Sequence, residues 1–118
     1  MALLITGPIE NNPVNGIRPT QQVTVKIDNR DTVDYSSILI QGYYLNGSRT
    51  LYVSELFVVA PNQVVSKNYF ANFDGFEFVF TTGGAAEFDT EVSVWGKDAS
   101  GQLVDAHRLV ADEIEDSQ

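Results

Sequence analysis

From residue 23 onward, apolar and polar residues alternate with a period of two, the pattern of strands with one buried face. Val23, Val25 and Ile27 alternate with Thr24 and Lys26, so the three apolar side chains share an inner face. The same reading predicts strands over 37–45, 50–60, 64–71, 76–82, 91–97 and 103–110. Ile38, Ile40 and Tyr44 are expected to point inward. Phe76, Phe78 and Phe80 line one face of their strand, with Glu77 and Val79 on the other. Val92, Val94 and Gly96 alternate with Ser93, Trp95 and Lys97, which sets Trp95 on an outer face. The run Leu56-Phe57-Val58-Val59 is apolar on both faces, so both faces are expected to be covered.

Turn residues punctuate these strands at regular intervals: Asp28–Asp31, Ala60–Gln63, Asn72–Gly75, Gly83 to about Asp89, and Asp98–Gly101. Asn46-Gly47 predicts a tight hairpin, because both residues accept positive φ. Helix signals are almost absent. The body therefore reads as seven antiparallel strands, and the N-terminal segment supplies a candidate eighth. The expected fold is an all-β antiparallel sandwich, jelly-roll-like in first place and immunoglobulin-like in second. Residues 21–111 form the domain, 1–20 an extended N-terminal connector peptide and linker, and 112–118 an acidic tail. No internal repeat or second domain is visible.

The N-terminal end departs from this pattern. Met1 to Thr6 is nearly all apolar, and Gly7-Pro8 cuts the run off. Asn11-Asn12-Pro13, Asn15-Gly16 and Pro19 then predict an extended, irregular chain. The run lacks the cationic segment and longer apolar core of a secretory signal, and it is far shorter than the roughly 20 residues that span a bilayer. Two readings stay open: it is the first strand of its own domain, or it docks into another copy. The docking residues are then Ala2, Leu3, Leu4, Ile5, Thr6 and Ile9. In an extended peptide Leu3 and Ile5 point one way and Leu4 the other, and Leu3 and Ile5 are expected to carry the contact. Asn11 and Asn12, in the tether, are expected to tolerate charges. Removing residues 1–16 is expected to leave a folded, monomeric domain.

Composition narrows the function classes. With 118 residues the chain is long enough for one core. Seven Lys and Arg against 16 Asp and Glu give a net charge of −9, which argues against nucleic acid and anionic membranes as partners. It also makes copies of the chain repel one another, so self-assembly needs apolar contacts. There is no cysteine, hence no disulfide, thiolate nucleophile or cysteine metal site. His107 is the only histidine, and no Ser or Asp pattern around it suggests a triad. Asp28, Asp31 and Asp34 have a spacing that could touch Ca²⁺, but they lack the glycine and bidentate glutamate of an EF-hand loop. Gly83-Gly84 has no strand-to-helix context or following Lys, so it is no phosphate loop. Asn46-Gly47-Ser48 fits a glycosylation acceptor, but the hairpin role explains it fully. The expectation is a protein with no catalytic residues, metal or cofactor. The rival reading is a carbohydrate-binding or other ligand-binding sandwich, in which Trp95, Tyr43, Tyr44, Tyr52 and Tyr69 form a stacking surface.

Two stretches carry a resemblance. One is Leu45-Asn46-Gly47-Ser48-Arg49-Thr50-Leu51-Tyr52-Val53. The other is Phe76-Glu77-Phe78-Val79-Phe80-Thr81-Thr82 with the segment from Val94-Trp95-Gly96-Lys97 to Val110. Together they resemble small β-domain proteins of the spore surface in Bacillus-type spore formers, a group that includes exosporium-associated proteins and endospore appendage fibre subunits. The resemblance implies a structural, non-enzymatic role at the spore surface or exosporium, with synthesis in the mother cell and no signal peptide. It implies self-association through N-terminal connectors into a homo-oligomer or filament, with other spore-surface proteins at the fibre ends. Many appendage subunits cross-link through cysteines, and this chain has none.

Overall fold

The computed structural model describes residues 2–110, with side chains through residue 106. The acidic tail and the side chain of His107 lie outside the described residues. The chain forms β1 (Ala2–Ile5), β2 (Ile9–Glu10), β3 (Gln22–Asn29), β4 (Ser36–Leu45), β5 (Arg49–Val59), β6 (Val64–Phe70), β7 (Gly75–Gly83), β8 (Thr90–Lys97) and β9 (Leu103–Val110). A 3-10 turn, Glu87–Asp89, precedes β8. One sheet has the order β1-β7-β4-β5, with β2 also on β7; the other has the order β6-β3-β8-β9. All pairings are antiparallel. The hairpins β4–β5 and β8–β9 stay within a sheet, and the other links from β2 to β8 pass between sheets. The fold is an all-β sandwich.

The period-two reading locates the core. Val23, Val25, Ile27, Ile38, Ile40, Phe78, Phe80, Val92 and Val94 are buried between the sheets. Phe76, Phe78 and Phe80 supply much of the volume, and Tyr52, Tyr69 and Phe57 pack against them from the open side. Tyr44 faces inward and stacks on Phe73, with ring centroids 5.0 Å apart. The β4–β5 ladder shifts register between Gly42 and Tyr43. A Cβ at Gly42 would lie 2.8 Å from Phe78 Cε2 and 3.1 Å from Val53 Cβ. Gly42→Ala is therefore expected to lower stability by roughly 1–3 kcal/mol through overpacking, read from the urea midpoint.

Two turns differ from expectation. The residues between Leu45 and Arg49 form a three-residue loop, with Gly47 alone at positive φ, 93°. The two-residue Asn-Gly turn lies instead at Asn15-Gly16, where φ is 54° and 80°. Val14 and Ile17 close it with paired backbone hydrogen bonds of 2.8 and 3.1 Å. The twist of such a turn suits a hairpin, so the stretch read as an irregular linker contains a miniature one.

Where β5 and β6 run along the open side of the sandwich, inward positions are charged. The Lys67 ammonium lies 3.7 Å from the Glu55 carboxylate and 4.9 Å from the centre of the Phe57 ring. Tyr69 donates to Glu55 at 2.5 Å, and Tyr52 donates to the Phe70 carbonyl. Burial pushes both phenols well above the usual tyrosine range. Charges pointing inward at sheet edges disfavour strand addition from another chain. These two edges are thus poor sites for edge-to-edge growth.

The outer face of β5 also differs from expectation. Leu56 is 71 % and Val58 61 % exposed. The second face of this apolar run is open in the single chain.

Candidate functional site: the N-terminal strand and its groove

The N-terminal run pairs with β7 of its own domain, in the register Ala2↔Thr82, Leu3↔Thr81, Leu4↔Phe80 and Ile5↔Val79. Pairing continues past β1. Thr6 N donates to Phe78 O at 3.0 Å, and Phe78 N donates to Thr6 Oγ1 at 3.1 Å. Ile9 and Glu10 then face Phe76 and Gly75, and Asn11 N donates to Asp74 O at 2.7 Å. The interruption is Gly7-Pro8, with Gly7 at φ 72°. Only this left-handed glycine lets the chain step off β7 and return, since Pro8 has no N–H to give the ladder.

Side-chain direction corrects one expectation. Leu4 is fully buried and Ala2 nearly so, both facing the core. Leu3 and Ile5 lie half-buried on the outer face of the sheet. The anchor of the strand is therefore Leu4, not the pair on either side of it. Ile9 is partly buried against the core, and Thr6 is half-buried at its bond to β7. All six residues proposed to dock thus line one edge of β7 within the same chain.

A second correction concerns Asn11, expected to be solvated and found only 3 % exposed. Its Nδ2 donates to the carbonyls of Thr20 (2.8 Å), Phe73 (2.9 Å) and Ala71 (3.2 Å), and its Oδ1 accepts from Thr20 N at 2.8 Å. One side chain thereby joins the end of the N-terminal arm, the start of β3 and the β6–β7 turn. Asn12 is exposed, as a tether residue should be. Arg18 reinforces the same corner, its Nε donating to Asp74 Oδ1 at 2.9 Å.

The other candidate sites dissolve on inspection of their geometry. Asp31 Oδ1 accepts the backbone N–H groups of Val33 and Asp34, each at 2.8 Å, and these bonds hold its carboxyl below the usual range. Asp89 shares a hydrogen bond with Asp31, which raises its own pKa. Asp28 lies 3.7 Å from Arg30. Among the described residues no three His, Asp or Glu side chains converge as metal ligands. The aromatics do not form one platform. Tyr44, Tyr52 and Tyr69 are inside, packed on Phe73 and Phe78. Trp95 lies on the outer face of β8 and donates to Ser93 Oγ at 2.7 Å. Tyr43 lies on the other sheet beneath the Arg49 guanidinium, 4.1 Å from its carbon. An open groove of about 610 Å³ lies between the Asn15-Gly16 hairpin and the β8–β9 turn, with Val14, Ile17 and Val104 along it.

No protein-family model matches the chain, and no curated protein matches it. Two solved structures share the fold. A Thermotoga maritima protein, 1070, superposes with a TM-score of 0.60 at 8 % identity, over 92 % of this chain and 91 % of that one. The Anabaena sensory rhodopsin transducer gives 0.50 at 15 % identity, over 84 % and 91 %. At such identities the likeness extends to the β-sandwich and no further.

Proposed function

We propose that the protein is a non-enzymatic structural subunit that self-assembles by exchanging its N-terminal strand between copies. The observation that supports this is the β1 groove. A terminal strand of four residues, anchored by Leu4 and hinged at Gly7-Pro8, fills one edge of β7. A terminal strand is the element most readily supplied by a neighbour, because the contacts in trans equal those in cis. Main-chain pairing gives affinity and alternate side chains fix the register. Reciprocal exchange closes a dimer, and head-to-tail exchange propagates a filament. The resemblance noted above suggests where such filaments belong: on the spore surface or exosporium, with other surface proteins at their ends.

Negative-stain microscopy of the purified protein tests this reading. Filaments or strand-exchanged oligomers are expected; a monodisperse monomer at all concentrations would contradict it. The second reading, a ligand-binding module, draws on the open groove beside Val14, Ile17 and Val104. It predicts monomers that bind a glycan or small apolar ligand there, and Ile17→Asp would abolish that binding.

A further inference from the structure

The two sheets treat their outer faces differently. On the β6-β3-β8-β9 sheet polar and charged residues occupy the middle of the outer face, where Thr24 bonds to Asn68, Lys26 to Ser66, and Trp95 to Ser93, while Val64, Phe70 and Leu103 are exposed on the two edge strands. That is the ordinary pattern of an antiparallel sheet with one wet face. The β1-β7-β4-β5 sheet carries fewer charges on its outer face, where Ser37, Gln41, Ser54 and Thr81 supply most of the polar positions. The register aligns Leu3, Thr81, Leu39 and Leu56 in one row across all four strands. Ile5 and Val58 lie in the rows on either side, Leu51 lies one row further along β5 beyond Ser54 and Gln41, and Leu51, Leu56 and Val58 are 47, 71 and 61 % exposed. An exposed apolar row of this kind, with few charges around it, marks an interaction surface.

We propose that this face pairs with the same face of a second copy of the chain. Charge selects that occupant. Copies carrying −9 each repel one another, yet the charged residues at outward positions of these four strands are Arg49 and Glu77, paired with each other at 2.9 Å. Glu10 lies beyond them, on β2 at the far end. This is therefore a surface that adds no charge-on-charge contact between like-charged copies, and that offers a basic partner no acidic cluster to pair with. Size agrees. Four strands about 4.8 Å apart, over about eight residues of about 3.4 Å rise, give a flat footprint of roughly 500 Å². That footprint lies just below the roughly 600–1,000 Å² per partner of a standard-size interface. A self-complementary contact has two-fold symmetry and closes on itself. It is independent of strand exchange, because the face is the same whichever copy supplies β1. Where strand exchange also operates, the two contacts together would make a paired filament.

The absence of native cysteine makes the test direct. In Leu56→Cys protein, maleimide labelling should slow about tenfold as concentration rises through the dimer range. Labelling of a Ser66→Cys control, on the polar sheet, should not slow. Sedimentation equilibrium should show wild-type dimers and a Kd at least about tenfold weaker for Leu56→Lys, with the melting temperature of dilute protein unchanged. Leu56 lies three strands from β1, so strand exchange is left intact in this variant. Equal labelling of Leu56→Cys at all concentrations, or Leu56→Lys protein associating as the wild type does, would overturn the proposal.

Discussion

Leu4→Asp is expected to abolish the native fold of the single chain. Leu4 is fully buried between the sheets opposite Phe80. Truncating a buried Leu costs about 2–5 kcal/mol, and a carboxylate in its place adds the cost of an unpaired buried charge. The sum reaches the 5–15 kcal/mol that stabilises an ordinary domain. The expected result is loss of the cooperative melting transition, or a carboxyl that stays protonated and a fold restored only at acid pH. Leu3→Asp with Ile5→Asp is expected to do much less to the fold, because those side chains are half-buried on the outer face. Circular dichroism during thermal melting checks both. A normal transition for Leu4→Asp at neutral pH would show that β1 contributes little to its own domain.

Asn11→Ala is the second large effect. Removing the amide leaves the Thr20 N–H and the carbonyls of Thr20, Ala71 and Phe73 without this partner, in a corner where Ala71 is fully buried and Thr20 nearly so. Each orphaned buried group costs about 1–3 kcal/mol unless water reaches it, so a loss of about 3–5 kcal/mol is expected. Asn12→Ala, one residue on and exposed, should change stability by less than about 0.5 kcal/mol. Urea denaturation of the two variants gives the comparison directly. Equal midpoints would mean that the Asn11 network contributes nothing net. By the same argument, deleting residues 1–16 should unfold the domain or leave it open to a strand from another copy.

The strands were legible because one-sided burial writes a period of two into the sequence. Val23-Val25-Ile27 and Phe76-Phe78-Phe80 are buried as that period requires. What the pattern could not give is the long-range partner. Met1–Thr6 reads as apolar whether it pairs with β7 of its own chain or of another. Leu4 and its neighbours are of one chemical class, so only the register with β7 decides which faces the core. Asn11 sits in a run of Asn, Pro and Gly that reads as solvated, and its burial follows from the β6–β7 turn roughly 60 residues away. A buried polar residue that bonds to backbone carbonyls leaves no local signature. The Leu56–Val59 run is a different case. Its two-faced apolarity was visible, and the single chain covers only one of the two faces.

Mixed-subunit cross-linking tests the central claim, that β1 can be supplied by a neighbour. Leu3 and Thr81 face each other across the β1–β7 ladder, and no native cysteine competes. Leu3→Cys and Thr81→Cys proteins, prepared separately, are unfolded together, allowed to assemble and then oxidised. Strand exchange predicts disulfide-linked dimers that contain one chain of each kind, in proportion to the assembled fraction. The double variant, kept dilute, should instead close its disulfide within one chain. Assemblies that form normally yet contain no cross-link between the two kinds of subunit would contradict strand exchange and assign the joining of subunits to another surface.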